Sequence, residues 1–144
     1  MSYPSWSKDL EYSAVNSGQL LVDKRPLVLG VDDNDDNLEL LAQILDLLGC
    51  EFVGAVDGTS ALSAALDRPP DLILLDICLP DIDGLELVNQ IKQNSKLVNI
   101  PIVAVTALAK TADRDRILNA GCLDYLSKPF NIDELEIIVR RHLN

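Results

Sequence analysis

The run Leu72, Ile73, Leu74, Leu75 leads straight into Asp76, and a turn of Leu79, Pro80, Asp81, Ile82, Asp83 and Gly84 follows almost at once. Adjacent apolar residues without in-out alternation describe a strand covered on both faces, as in a parallel sheet packed between helices. Ligands of such sheets sit beyond the carboxyl ends of the strands, so Asp76 stands where chemistry is usually done. A lone strand-end aspartate is equally what an ordinary surface loop contains. What the other strands end in decides between the two.

From Pro26 the pattern is regular. A strand over 27–31 closes with Asp32 and Asp33. Asn34, Asp35 and Asp36 offer helix-start residues, and Leu38, Leu41, Ile44, Leu45 and Leu48 recur at helical spacing until Gly49. A second strand over 51–56 is followed by Asp57 and an alanine-rich helix to Leu66. The third strand is 72–75, and the helix after its turn sends Leu85, Val88 and Ile91 inward. A fourth strand over 100–105 ends in Thr106 and Ala107. The next helix runs from about Thr111 to Ala120, with Lys110, Asp113, Arg114, Asp115 and Arg116 solvated. A fifth strand over 122–126 ends at Ser127, Lys128 and Pro129. Asn131 with Glu134 three residues on opens the last helix, whose expected buried stripe is Ile132, Leu135, Ile138 and Val139. Five strands alternating with five helices predict a doubly wound α/β domain with a parallel sheet and right-handed crossovers.

A chain of 144 residues fits one domain, and its 48% hydrophobic content is ordinary for a soluble protein. The net charge of −11 lies entirely beyond residue 26, because Lys8, Lys24 and Arg25 balance Asp9, Glu11 and Asp23 before it. A domain that acidic repels phosphate backbones, which argues against direct nucleic-acid binding. No apolar run is long enough to span a membrane and the start lacks a signal-peptide pattern, so a cytoplasmic protein without membrane insertion is expected. Cys50, Cys78 and Cys122 lack metal-ligand spacing, and reduced thiols are the simple expectation. Residues 1–26 read as an arm outside the domain, flexible or partner-docking, and 27–144 as the domain. Tyr3, Trp6 and Tyr12 are unusual for a solvated arm, and Trp6, Leu10 and Ala14 would share one face of a short helix.

In a parallel sheet the ends carrying Asp32 and Asp33, Asp76, Thr106 and Lys128 all lie along one edge. Carboxylates brought together there either take up protons or hold a cation, and an all-oxygen set with room for water and phosphate suits Mg2+, with Mn2+ as a substitute. A lysine and a hydroxyl across the same crevice can bind phosphoryl oxygens, which gives Asp76 the role of a nucleophile forming an aspartyl phosphate.

These residues resemble a known family. Val31, Asp32 and Asp33; Leu75, Asp76 and Ile77 with the turn through Gly84; Val105, Thr106 and Ala107; and Asp124 through Phe130 are similar to the receiver domain of two-component response regulators. The likeness runs over about 27–143, in order. It implies a flavodoxin-like three-layer α/β/α sandwich with strand order 2-1-3-4-5. It further implies Asp76 as phosphoacceptor, with Asp33, Asp76 and the backbone carbonyl of Cys78 holding Mg2+ and Asp32 helping through water. Lys128 would pair with the phosphoryl group and Thr106 would swing toward it, with Tyr125 as the aromatic that follows Thr106. The Lys128-Pro129 peptide bond would be cis. The added charge would bias a protein-binding surface formed by the helix after strand four, strand five and the last helix. Implied partners are a sensor histidine kinase or histidine phosphotransfer protein as donor and a downstream protein target, with Ile137 open to a partner or homodimer contact.

Departures from the family pattern are small. Gly30 stands where a larger apolar residue is usual, which would leave room for a neighbouring side chain. Cys78 occupies a variable position where a filler role is expected, and His142 reads as a surface residue favoured by a helix end. A haloacid-dehalogenase-like phosphatase would need an acid two residues after its nucleophile, and Cys78 stands there. A nucleotide-dependent kinase or GTPase would need a Gly-x-x-x-x-Gly-Lys-Ser/Thr loop, which the sequence lacks. A degenerate receiver serving as an unphosphorylated binding module would usually have lost one of the acids, the threonine or the lysine. The sequence points to a single-domain regulator rather than an enzyme with a separate output, and does not separate a terminal regulator from a phosphorelay intermediate.

Overall fold

The computed structural model describes residues 25–107 and 111–143. Tyr3, Trp6, Leu10, Tyr12, Ala14 and Lys110, named above, lie outside the described residues. The strands are β1 (Leu27–Val31), β2 (Glu51–Ala55), β3 (Leu72–Leu75), β4 (Ile102–Thr106) and β5 (Asp124–Ser127). They alternate with α1 (Asp35–Leu47), α2 (Gly58–Asp67), α3 (Gly84–Gln93), α4 (Thr111–Asn119) and α5 (Ile132–Leu143). The sheet is parallel throughout, in the order β2-β1-β3-β4-β5. That order and its helical layers bear out the expected doubly wound fold.

Successive strand residues feed opposite layers. Leu29, Val31, Ile73, Leu75, Ile102 and Ala104 pack with Ala61, Ala65, Leu87, Val88, Ile91 and Ile117 from α2, α3 and α4. Val28, Leu72, Leu74, Val103 and Val105 pack with the apolar faces of α1 and α5. This two-sided burial is why β3 is apolar at every position, and why no residue of it is more than 1% exposed. Burial of such a side chain contributes about 1.5–3 kcal/mol, so β3 anchors the strand end that carries Asp76.

Local signals place the helix ends. Asn34, Asp57 and Asp83 accept from amides of the first turns of α1, α2 and α3. Asn131 and Glu134 bond reciprocally, Glu134 N donating to Asn131 Oδ1 at 2.8 Å and Asn131 N to Glu134 Oε1 at 3.1 Å. Gly49, at φ 83°, and Gly121, at φ 117°, turn the chain in the left-handed region after α1 and α4.

Several expectations need correction. Strand β4 begins at Ile102 rather than at residue 100, because the ladder reaches it only after Pro101, whose carbonyl accepts from Ile73 N. Ile100 and Leu97 instead enter the core from the segment after α3. Strand β5 begins at Asp124 rather than at residue 122, Val56 falls outside β2 and is exposed, and Thr106 is the last residue of β4 rather than the first beyond it. In α3 the fully buried stripe is Leu87, Val88 and Ile91, with Leu85 only half-buried. Ile132 is 40% exposed, in a first turn of α5 that is exposed throughout, and burial starts at Leu135. His142 is tucked in rather than free on the surface, its Nε2 lying 3.2 Å from Asp124 Oδ2. The room left by Gly30 is used: a Cβ there would meet the Phe52 ring at 2.6 Å, so the edge-strand aromatic lies across the glycine.

Candidate functional site

Four strand ends deliver the site in spatial order. Asp32 follows β1, Asp76 follows β3, Thr106 ends β4 and Lys128 follows β5. Backbone bonds at the ladder ends fix three of them: Asp32 N donates to Ala55 O at 3.0 Å, Asp76 N to Val31 O at 2.8 Å, and Lys128 N to Thr106 O at 2.9 Å. Side chains one residue past a paired position have little freedom to wander.

Lys128 Nζ donates to Asp32 Oδ2 at 2.7 Å and to Asp76 Oδ2 at 2.9 Å. Burial alone would lower the pKa of this ammonium. The hydrogen bonds and charges of Asp32 and Asp76 outweigh that and hold it above the usual lysine value. Asp32 is further satisfied by the Asn34 amide at 2.9 Å and the Asn37 side-chain amide at 3.2 Å, and Asp76 Oδ1 accepts from Cys78 N at 3.0 Å. Asp32 and Asp76 are 3% and 8% exposed, while Asp33 opens to solvent. One oxygen from each of the three lies within 4.8 Å of the others.

Three carboxylates against one ammonium leave the cluster two charges negative by simple count, at an edge open on the Asp33 side. Oxygen donors without sulfur or imidazole suit a hard divalent cation that keeps positions for water and phosphate, so the residues present fit Mg2+. A cleft of about 340 Å³ runs beside Asp76 and Lys128, walled by Leu41, Leu74, Val105 and Phe130. Its apolar wall leads to the Asp76 carboxylate and the Lys128 ammonium.

Thr106 is fully buried and Ala107 exposed. The Tyr125 hydroxyl pairs with Ser127 Oγ at 3.1 Å, and the Arg114 guanidinium stands 5.0 Å from the centre of its ring. The Lys128-Pro129 peptide bond is cis. The exposed Cys78 thiol is raised above its ordinary pKa by partial desolvation and by the Asp76 charge, which disfavours the reactive thiolate form. Cys50 and Cys122 are buried free thiols, pushed up to about 11 by burial. Sequence reasoning did not find Asn37. Its only signal is the position five residues after Asp32, on the first turn of α1, and amide side chains are common there for other reasons.

Residues 28–140 match the response regulator receiver domain. The polar-differentiation response regulator DivK of Brucella anthropi is 37% identical over 116 residues, which span 81% of this chain and 94% of that protein. Among solved structures, the chemotaxis protein CheY4 of Vibrio cholerae superposes with a TM-score of 0.79 at 28% identity, covering 83% of this chain and 99% of that one. The receiver domain of the sensor histidine kinase PA1611 from Pseudomonas aeruginosa gives 0.77 at 35% identity, over 83% and 97% of the two chains. That structure carries a magnesium ion coordinated in its active-site cleft. With the family matched over most of its length, and the sheet order and acidic edge to go with it, the chain belongs to the response regulator receiver-domain family.

Proposed function

We infer that Asp76 accepts a phosphoryl group from a phosphohistidine on a sensor kinase or phosphotransfer protein and that the resulting charge switches a protein-binding surface. The observation that carries this reading is the placement of the Asp76 carboxylate, which shares the Lys128 ammonium with Asp32 and clusters with Asp32 and Asp33 beside an open cleft. An Asp76 oxygen would attack phosphorus as the phosphorus–nitrogen bond of the donor breaks, leaving the histidine with the electron pair and the phosphoryl group on the aspartate. Asp33, Asp76 and the Cys78 carbonyl, with Asp32 through water, would hold Mg2+, which when bound neutralises charge on the transferring oxygens.

Lys128 has the second part. Its two bonds to Asp32 and Asp76 hold the ammonium beside the acceptor, where it can transfer its contact to a phosphoryl oxygen. Thr106, at the neighbouring strand end, would follow, and Tyr125 two elements away in the same layer would adjust to it. The surface so biased is α4, β5 and α5, where exposed Leu118 of α4 and Ile137 of α5 offer apolar contact to a target. The acidic domain favours protein partners over nucleic acid, and residues 1–26 are read as an arm outside it whose last residues are anchored on the domain, Arg25 by Asp46 and the Cys50 carbonyl and Pro26 by the Glu51 amide. A relay role, in which the group passes on to another histidine, uses the same atoms in reverse.

Beryllofluoride, a stable mimic of the phosphoryl group, tests the site directly by fluorine NMR. Bound fluoride signals should need both Mg2+ and the Asp76 carboxylate. Signals that persist in Asp76→Asn, or without a divalent cation, would contradict the assignment.

A further inference from the structure

The turn after Asp76 is fastened at both ends. At its base Cys78 pairs with Asp83 in an antiparallel bridge, Gly84 N donates to Ile77 O at 2.9 Å, and Cys78 N donates to Asp76 Oδ1 at 3.0 Å. At its tip Asp81 reaches the start of α2. Asp81 Oδ1 accepts from the Gly58 amide at 2.8 Å, and Oδ2 accepts from the Thr59 amide and the Thr59 hydroxyl, both at 3.0 Å.

Those amides are ones that α2 cannot satisfy itself. Its cap residue Asp57 accepts from Ser60 N, one position further in, and its first turn contains no acid. The unpaired amides of a helix start, with the positive end of the helix dipole, favour a carboxylate. Here that carboxylate comes from the turn of the site. The Gly58 amide foremost among these donors holds the Asp81 carboxyl below its ordinary value, so it stays ionised at neutral pH. Shape adds to charge: Ile82 fills the space over Gly58, where any side chain would collide with Ile82 Cγ2.

We propose that Asp81 is a positioning residue for the cation site: by pinning the tip of the turn to the first turn of α2, it holds the backbone of Cys78 in register with Asp76. The inference rests on the reading of Asp32, Asp33, Asp76 and the Cys78 carbonyl as the Mg2+ site. With the base alone, the turn could pivot about its Cys78–Asp83 pairing and carry that carbonyl away from the carboxylates. With the tip fixed, turn and helix start form one body, so a change at the cation site reaches Gly58 and Thr59.

The test is a Mg2+ titration of the full chain, followed by amide chemical shifts, for wild type, Asp81→Ala, Asp81→Asn and Gly58→Ala. Asp81→Ala should weaken Mg2+ binding about 10-fold, the lower end for partners that orient metal ligands. Asp81→Asn, which keeps one acceptor oxygen, should lose less. Gly58→Ala, which keeps the carboxylate but displaces Ile82, should weaken binding as well. In wild type the Gly58 and Thr59 amides should shift on adding Mg2+, and in Asp81→Ala they should not, a readout that mere loss of stability would not produce. Unchanged Mg2+ affinity in folded Asp81→Ala would overturn the role of Asp81 while leaving the site intact. A wild-type chain that binds no Mg2+ would instead overturn the site reading, and this inference with it.

Discussion

At the carboxyl-terminal edge of the sheet three clustered carboxylates face one ammonium, whereas at the opposite edge Asp124, Glu51, Asp46 and Asp71 each have partners of their own. There Asp124 accepts from Arg141 at 2.5 Å and lies 3.2 Å from His142, Glu51 pairs with Arg68, Asp46 with Arg25, and Asp71 accepts the Leu27 amide at 2.8 Å. The second edge is exposed or half-buried and balanced; the first is largely buried and short of positive charge. A cluster left short of cations in a low-dielectric setting is poised to take up charge from outside, while a neutralised one merely ties elements together. Two groups of acids on one fold thus differ in kind, and the difference can be attacked from either side.

The largest effect is expected at Lys128. Lys128→Ala leaves Asp32 and Asp76 buried without their cation, and should destabilise the metal-free protein by about 2–3 kcal/mol, less than a fully buried pair because the lysine is partly exposed. Urea unfolding measures it, and added Mg2+ should restore part of the loss. The same variant should take up phosphate poorly and show no phosphorylation-dependent change in partner binding.

Next comes the cation itself. At a hundredfold excess over its dissociation constant, Mg2+ should raise the stability of wild type by about 2.7 kcal/mol. Asp33→Asn should reduce that gain, and Asp124→Asn should leave it unchanged. Equal effects at the two edges would erase the distinction drawn between them.

Smaller still is Asp124→Asn, at about 1 kcal/mol or less for a partly exposed ion pair. Burial would raise the Asp124 pKa, but the Tyr125 amide, His142 and Arg141 lower it below the ordinary value on balance. A depressed carboxyl contributes stability above its unfolded pKa and loses it as pH falls through the folded one. The gap between wild type and Asp124→Asn should therefore be full at neutral pH and close below the ordinary carboxylate range. Lys128 has the opposite sign: its raised pKa contributes stability below the unfolded lysine value, lost as pH rises through the folded one. Unfolding curves at acid and alkaline pH separate the two.

How much of this was legible in the sequence follows from the range of each signal. Strands β1 and β3 could be read because their apolar runs stop at charged residues, and the start of α5 because Asn131 and Glu134 are local partners. Asp32, Asp33, Asp76, Thr106 and Lys128 were legible as a set because parallel topology sends every strand end to one edge. The start of β4 is not legible because Ile100 and Ile102 look alike as residues, and only the ladder separates core filler from strand. Ile132 is a related case, since helical spacing gives a face but not how far along it burial extends. His142 against Asp124, and Asp81 on Gly58 and Thr59, depend on contacts across 18 and 22 to 23 residues, which no local pattern encodes. The aspartate at the tip of the turn looked like turn chemistry alone.

The most direct measurement is intact mass after incubation with Mg2+ and a small acyl phosphate, beside Asp76→Asn and a sample without divalent cation. Wild type should gain one phosphoryl group and neither control any. An adduct of the same size on Asp76→Asn, or one that forms without a divalent cation, would contradict Asp76 as the Mg2+-dependent phosphoacceptor.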